Sequence, residues 1–511
     1  MRFCILRGEY VMKKLISLIL AFIILAVPAG TAFAAVTEQS VNAAGQESGY
    51  VADCPYIYVH GFMGSTIYVD PDDPDSEAAW PPSSDRIKSA VGKILPSMLK
   101  VMITRNWERF ADEVIPAVNE MFDPIYLNDS GEVPNKSGVR FSYPAKESIT
   151  ASSQLDYVYD WRVDPIESAR GLNDFINYVL EASGCEQVVL SCHSYGGVVT
   201  TAYAKMFGTE KVRSWVFNST AVYGETYNGE LMTGKMTFEA EALTEYLKSA
   251  FDYNDNEDFF LGLFGFLYKT GITSLVCRNV NYMIKHITMD KLATGILPLF
   301  GRWLSVWSMI PDDTIDEAYD YVFNTVYKDD GVDRSKLREK IDSFNTDIRP
   351  YKDETIERIN ETSNYYVIAR YGYCSLFMTP SWRNAADCTI DVKYASQGAT
   401  AAQYGETLSA DYISGKDAKY ISPDKTIDAS TCTYPEQTWF IRHYTHGSNC
   451  EALSEMIQTL LYYDGQATTE TFAQYPRFLY FDEDTQQIIP DTYTEPEPSF
   501  IDNIKNLFKA G

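Results

Sequence analysis

Apolar and polar positions alternate along the first half of the chain in two kinds of stretch. Short, nearly unbroken apolar runs read as buried strands: Pro55 to His60 (PYIYVH), Val188 to Leu190, and Val212 to Phe217; Gln154 to Pro165 (QLDYVYDWRVDP) reads as a strand running into a loop. Between them, apolar residues recur every three or four positions, the period of a helix with one buried face. Residues 84–123 carry Ile87, Val91, Ile94, Leu95, Met98, Leu99 and Met102 in that pattern. Ala169 to Ala182 carries Leu172, Phe175, Ile176, Val179 and Leu180. Another helix is expected over Gly197 to Phe207. Strand alternating with helix predicts a mostly parallel sheet covered on both faces.

After Tyr223 the rhythm changes. Residues 226–362 contain no clear strand but several helix-like segments: Phe238–Phe251, Asp258–Thr270, Asn281–Leu299, Asp316–Val326 and Ser335–Asn345. They predict a large helical cap inserted into the α/β core. Tyr365 to Ala369 returns to a buried strand, and residues 375–420 are a Ser/Thr/Ala/Tyr-rich insertion of poor periodicity. Trp439 to Arg442 is a short strand and Asn449 to Tyr462 an amphipathic helix. The expected division is a leader (1–35), a core (50–225), the cap (226–362), the rest of the core (363–465) and an acidic Pro/Thr-rich tail (466–511). The tail ends in a weak amphipathic stretch, Phe500 to Phe508.

Composition adds compartment and partner class. Lys13 and Lys14, the apolar run Leu15 to Val27 and the small-residue site Ala32-Phe33-Ala34 have the form of a secretory signal, with Met12 as an alternative start. Export to the extracellular side is expected, and no later segment reaches the ~20 uncharged apolar residues of a spanning helix. The formal charge of −27 argues against nucleic acid as a partner. Of nine cysteines, eight remain after the leader. They are scattered without C-x-x-C or clustered histidines, so no metal site is expected. Export permits disulfides, with Cys374–Cys388 and Cys432–Cys450 as candidate pairs. The acidic run Asp70 to Glu77 lacks the glycine and spacing of an EF-hand loop and reads as a solvated loop.

The chemistry centres on Glu186 to Thr201, EQVVLSCHSYGGVVTT. An apolar strand runs into a tight turn, Cys192 to Gly197, and then into a helix. A serine hydroxyl is a weak nucleophile and needs an exposed position on a sharp turn beside a base. Small residues two before and two after it let strand and helix pass closely. Cys192 and Gly196 fill those places around Ser194, the strand–turn–helix elbow of α/β-hydrolases. Upstream, the strand ending at His60 breaks at Gly61-Phe62-Met63-Gly64-Ser65, the expected place of an oxyanion loop. The backbone N–H groups of Phe62 and Tyr195 are the candidate donors to a developing oxyanion.

On this fold, nucleophile, acid and base follow in that order, with acid and base on loops after late strands. The chain has five histidines. His60 and His193 lie on the oxyanion and elbow segments and His286 in the cap, which leaves His443 and His446. His446, in the loop beside Gly447, is the expected base. Asp391, Asp411, Asp424 and Asp428 qualify as the acid by order. Asp424, in the turn Pro423-Asp424-Lys425-Thr426, is the expected one and Asp428 its main rival.

These motifs together resemble the lecithin:cholesterol acyltransferase family of α/β-hydrolases, in a divergent secreted form. His60-Gly61-Phe62-Met63-Gly64-Ser65 resembles the family's oxyanion loop, with His60 where proline often stands. Tyr159-Asp160-Trp161-Arg162, followed by Pro165, matches its tyrosine–aspartate–tryptophan–arginine motif. The Ser194 elbow matches apart from Cys192. Asp424-Lys425-Thr426-Ile427 resembles the loop that holds the acid, with Lys425 and Pro423 replacing glycines. The resemblance implies acyl-ester chemistry on lipids through an acyl-serine, with Trp161 as a substrate-binding residue bordering the acyl pocket.

Three functions remain open at this point. One is a secreted serine esterase, lipase or phospholipase. Another is an O-acyltransferase using the same residues on an alcohol acceptor. The third is a catalytically silent hydrolase fold that binds a partner. The mechanism needs no cofactor or metal. Net charge favours neutral lipids or dispersed esters over anionic bilayers. The aromatic run Ile296 to Pro311 is either core of the helical insertion or a lid and acyl channel in transient contact with lipid aggregates.

Overall fold

The computed structural model describes residues 51–104, 106–251, 257–286 and 300–493. The secretory leader, the stretch Phe500 to Phe508 and residues 296–299 of the aromatic run lie outside the described residues.

Eight strands form one sheet: β1 (Tyr56–Val59), β2 (Gln154–Tyr157), β3 (Val188–His193), β4 (Val212–Asn218), β5 (Asn364–Tyr371), β6 (Thr438–Arg442), β7 (Phe478–Asp482) and β8 (Gln487–Pro490). Their order across the sheet is β8-β7-β6-β5-β4-β3-β1-β2. Every neighbouring pair is parallel except β7 with β8. The protein is therefore a mixed α/β structure on a mostly parallel sheet. Its four principal crossover and flanking helices are α1 (Pro165–Ser183), α2 (Gly196–Phe207), α3 (Lys352–Thr362) and α4 (Glu451–Leu461).

Local rules place these elements. Both faces of β3 are covered, so it reads as unbroken apolar sequence. Val188, Leu190 and Cys192 face one core; Val189 faces the other with Leu453, Met456 and Leu460 of α4. Helix α1 starts earlier than its apolar period, because Asp164 accepts from the Ile166 N–H and Pro165 occupies the first turn. It ends where Gly184 turns to φ 71° and its N–H reaches the Leu180 carbonyl. Residues 84–123 form two helices, Ser84–Thr104 and Trp107–Phe122. The second begins where Asn106 caps the Arg109 N–H at 3.0 Å.

Two expectations change. The region read as an acidic tail contributes β7 and β8 to the sheet edge. The helical insertion divides in two. Its later part packs on the sheet core through Trp303, Leu304, Trp307, Ile310 and Ile356. Among the described residues, the helices Ala240–Phe251, Glu257–Lys269 and Ile272–His286 share a small core around Leu243, Leu247, Phe264, Leu267 and Cys277, and Ala242 and Tyr246 of the first also pack with Cys374 and Trp382. Of the described part of the aromatic run, Trp303 to Ile310 is buried while Phe300 is exposed.

Neither candidate disulfide forms, since Cys374, Cys432 and Cys450 are thiols. Among the described residues no helix is long and apolar enough to cross a membrane.

Candidate active site

Ser194 sits between β3 and α2 with φ 56°, a left-handed conformation that a non-glycine residue adopts only when its surroundings impose it. The surroundings do impose it. A Cβ on Gly196 would lie 2.4 Å from the Val59 carbonyl oxygen, and one on Gly197 2.5 Å from Thr220 Cβ. A Cβ on Gly61 would lie 2.7 Å from Ser194 Cβ. Three glycines thus let the turn press against the end of β1 and the loop after β4. Hydrogen bonds complete the clamp: Ser194 N–H donates to the Asn218 carbonyl at 3.3 Å, and Ala221 N–H donates to the Ser194 carbonyl at 3.1 Å. Cys192 is fully buried beneath, and burial pushes its thiol pKa up. It is a packing residue.

His446 lies in the loop after β6 and lines the same cavity as Ser194. Its Nδ1 is 2.8 Å from Oδ2 of Asp387, and its backbone N–H donates to the Asp387 carbonyl at 2.7 Å. Asp387 is fully buried, and its Oδ1 accepts from the backbone N–H groups of Thr389 and Ile390 at 3.1 and 2.8 Å. The carboxylate is therefore locked with one oxygen on its own turn and the other on the imidazole.

The carboxylate beside His446 is thus Asp387 and not the expected Asp424. The structure does not bring Asp424 to His446. Asp424 accepts from Ser422 Oγ at 2.6 Å and Thr426 Oγ1 at 2.8 Å, with Arg442 3.8 Å away. Lys425, standing where the resembled family has glycine, takes φ 59° in that turn. Asp428 caps its own turn through Ser430 and pairs with Lys416 at 2.9 Å. Asp391 bonds Thr226 and Asn384. Asp387 was missed because it stands in the poorly periodic 375–420 stretch. The signal that could have found it is its place shortly after the end of β5. His443 is also elsewhere, stacked between Tyr373 and Tyr480 at 5.6 Å from each ring.

A second residue escaped the sequence reading. Arg370, on β5, is almost fully buried and donates from Nη1 to the carbonyls of Thr445, His446 and Ser448 at 2.8–3.0 Å. Its Nε donates to Asn218 Oδ1 at 3.2 Å. One guanidinium so ties the His446 loop to β4.

The Gly61–Ser65 loop is clasped at both ends by the Tyr159–Arg162 motif. Tyr159 Oη donates to the His60 carbonyl at 2.6 Å, and Trp161 Nε1 donates to the Ser65 carbonyl at 3.0 Å. Trp161 is fully buried and packs edge-on beneath Phe62, with centroids 4.9 Å apart, and against Trp303 at 5.3 Å. It braces the loop and is not among the residues that line the cavity of Ser194 and His446. Arg162 forks onto Asp160 at 2.9 and 2.6 Å and holds Ser137. Tyr195 is the N-cap residue of α2, and the first N–H groups of a helix have no intrahelical acceptor.

Burial dominates the electrostatics. The His193 ring lies 4.4 Å from that of His446. Burial drives the His193 pKa well below its ordinary value, reinforced by His446, Arg370 and His60 and opposed by a hydrogen bond with the His446 backbone. Burial likewise lowers His60, against the pull of Asp156. Glu225 is buried near Asp387, and desolvation, with Asp387 and Asp391 adding to it, raises its carboxyl to about 8. Among the described residues no group of three or more His, Cys, Asp or Glu could hold a metal ion.

No protein-family model matches the chain, and no curated protein matches its sequence. Among solved structures, a chain described in "The crystal structure of Tle4-Tli4 complex" aligns with a TM-score of 0.26 and 15% identity. The alignment covers 62% of this chain and 75% of that one. A likeness of that size carries no argument about fold or chemistry.

Proposed function

We propose that this protein is a serine hydrolase of carboxylic esters with an α/β-hydrolase core, in which Ser194, His446 and Asp387 act together. One observation carries the reading. A serine forced to φ 56° on a strand–helix turn shares a cavity with a histidine whose far nitrogen is held by a buried aspartate. That is the arrangement that turns a hydroxyl into a nucleophile.

In this reading Ser194 Oγ attacks the ester carbonyl while His446 Nε2 takes its proton. Asp387 fixes the imidazole tautomer and stabilises the imidazolium that forms. The N–H groups of Phe62 and Tyr195 receive the oxyanion. His446 then returns the proton to the leaving alcohol, and water resolves the acyl-serine by the same route reversed. Rigid support for Phe62 comes from Tyr159 and Trp161, and for His446 from Arg370.

The substrate class proposed is lipid esters, in line with the resemblance read from the motifs. Support comes from the small helical unit, where Glu257–Lys269 and Ile272–His286 expose Phe266, Tyr268, Leu275 and Tyr282. Such a surface would rest transiently on lipid aggregates. Secretion rests on the leader sequence.

The test is hydrolysis of short- and long-chain p-nitrophenyl esters by the mature protein beside Ser194→Ala. Turnover that disappears in the variant supports the reading. Turnover that persists in it places the chemistry elsewhere.

A further inference from the structure

His193 stands one residue before the nucleophile and has no part in the steps derived above. Its ring lies 4.4 Å from the His446 ring, tilted by 32°, and lines the same cavity as Ser194 and His446. The ring donates a hydrogen bond to the His446 backbone carbonyl. Its Nε2 is buried and has no hydrogen-bond partner among the described residues, so Nδ1 is the donor. An imidazole that carries its proton on Nδ1 keeps a lone pair on Nε2. Burial first, then the neighbouring His446, Arg370 and His60, hold the ring neutral. Nε2 therefore acts as an acceptor, and a buried acceptor left without a donor is costly.

The acyl-serine is resolved by a nucleophile whose proton His446 Nε2 takes, so its oxygen stands within about 2.6–3.2 Å of that nitrogen. Nitrogens on two rings 4.4 Å apart can both reach one such oxygen. Water has two O–H groups: one serves His446, and the other satisfies His193. A simple alcohol has one, which His446 takes, so its alkyl group would meet the lone pair and leave it unpaired. Acylation makes no such demand, because there Ser194 Oγ itself gives its proton to His446.

We infer that His193 Nε2 holds the water that resolves the acyl-serine and so selects water over alcohols as the acyl acceptor. The inference rests on the hydrolase reading. The water oxygen bonds to the acyl carbon as the bond between that carbon and Ser194 Oγ breaks. One water proton passes through His446 to Ser194 Oγ. The other stays on the oxygen, hydrogen-bonded to His193 Nε2, and leaves with the carboxylic acid.

The experiment follows turnover of p-nitrophenyl butyrate by the mature protein with and without added methanol, counting butyric acid and methyl butyrate. His193→Asn keeps an amide donor near Nδ1 and removes Nε2. His193→Phe keeps a ring against His446 and removes both nitrogens. His193→Gln can place an amide oxygen where Nε2 stood. The ratio of methyl ester to acid should rise about fivefold or more in both the Asn and Phe variants. Both should release p-nitrophenol in a burst before a slower steady state, and His193→Gln should restore most of the preference for water. Fluorophosphonate labelling of Ser194 should keep close to its wild-type rate. A product ratio unmoved in either His193→Asn or His193→Phe overturns the inference and leaves the hydrolase reading standing. A moved ratio with greatly slowed labelling makes the residue a brace of His446 and overturns it too. No hydrolysis by the wild type, with no adduct on Ser194, overturns both.

Discussion

The sharpest consequence of the site geometry concerns two aspartates. Asp387→Asn keeps the shape of the side chain and an oxygen to accept from Thr389 and Ile390 at 3.1 and 2.8 Å. It removes the charge 2.8 Å from His446 Nδ1 and can turn an N–H toward that nitrogen. The imidazole would then be held in the tautomer that cannot take the serine proton. The loss expected in kcat is on the order of 10⁴-fold, with KM changing little. Folding should survive, because the two backbone hydrogen bonds remain. A net hydrogen bond to a charged group is worth about 1.5–3 kcal/mol, which bounds the stability loss. Asp424→Asn is the matched control. Asp424 bonds Ser422 and Thr426 in its own turn, so kcat should stay within about threefold of wild type. The assay is steady-state hydrolysis of p-nitrophenyl butyrate, with unfolding midpoints measured alongside. An Asp387→Asn enzyme of near-normal kcat, or a large kcat loss confined to Asp424→Asn, would refute the assignment.

Other consequences follow from the supporting residues. Arg370→Met removes the donor to three carbonyls of the His446 loop. It should lower the unfolding midpoint by the equivalent of about 2–5 kcal/mol and cut kcat at least tenfold, read by thermal melts and steady-state rates. Glu225 has a folded-state carboxyl raised by burial to about 8, against a reference of 4.5. The folded protein therefore binds more protons than the unfolded chain between those values. Its contribution to stability is full below about 4.5 and is lost as pH rises through 8. Glu225→Gln should flatten that part of the unfolding-midpoint profile, by an amount on the order of a few kcal/mol; an unchanged slope would contradict the burial argument. Trp161→Phe deletes the donor to the Ser65 carbonyl. Because it acts through the loop, it should reduce kcat more than it raises KM. Phe266→Ser should weaken binding to phosphatidylcholine vesicles in a flotation assay and leave turnover of soluble butyrate esters unchanged.

The parts of this structure that were legible in the chain are those governed by local rules. Val188 to Leu190 announced β3 because both faces of that strand are covered. Ser194 was legible because close strand–helix passage demands small residues at fixed offsets. His446 emerged because only five histidines compete. Asp387 was not legible. Its pairing with His446 spans 59 residues and depends on how two loops are folded over the sheet end. The turn that holds it carries no periodic signal. Asp424 misled because a Pro-Asp-Lys-Thr turn looks the same whether its carboxylate faces a histidine or only its own backbone. Trp161 posed the same ambiguity, since an aromatic beside an active-site motif can line a cavity or brace a loop. The last two strands, β7 and β8, were hidden by acidic, proline-containing flanks. There the run Phe478-Leu479-Tyr480-Phe481 finds its partner only in the sheet.

The most direct measurement is covalent capture of the nucleophile. The mature protein is treated with a fluorophosphonate, and the adduct is located by peptide mass spectrometry in wild type, Ser194→Ala and His446→Ala. The account predicts one adduct, on the peptide carrying Ser194. It should be absent in Ser194→Ala and formed at least a hundredfold more slowly in His446→Ala. An adduct on another residue, or none at all in the folded wild-type protein, would contradict it.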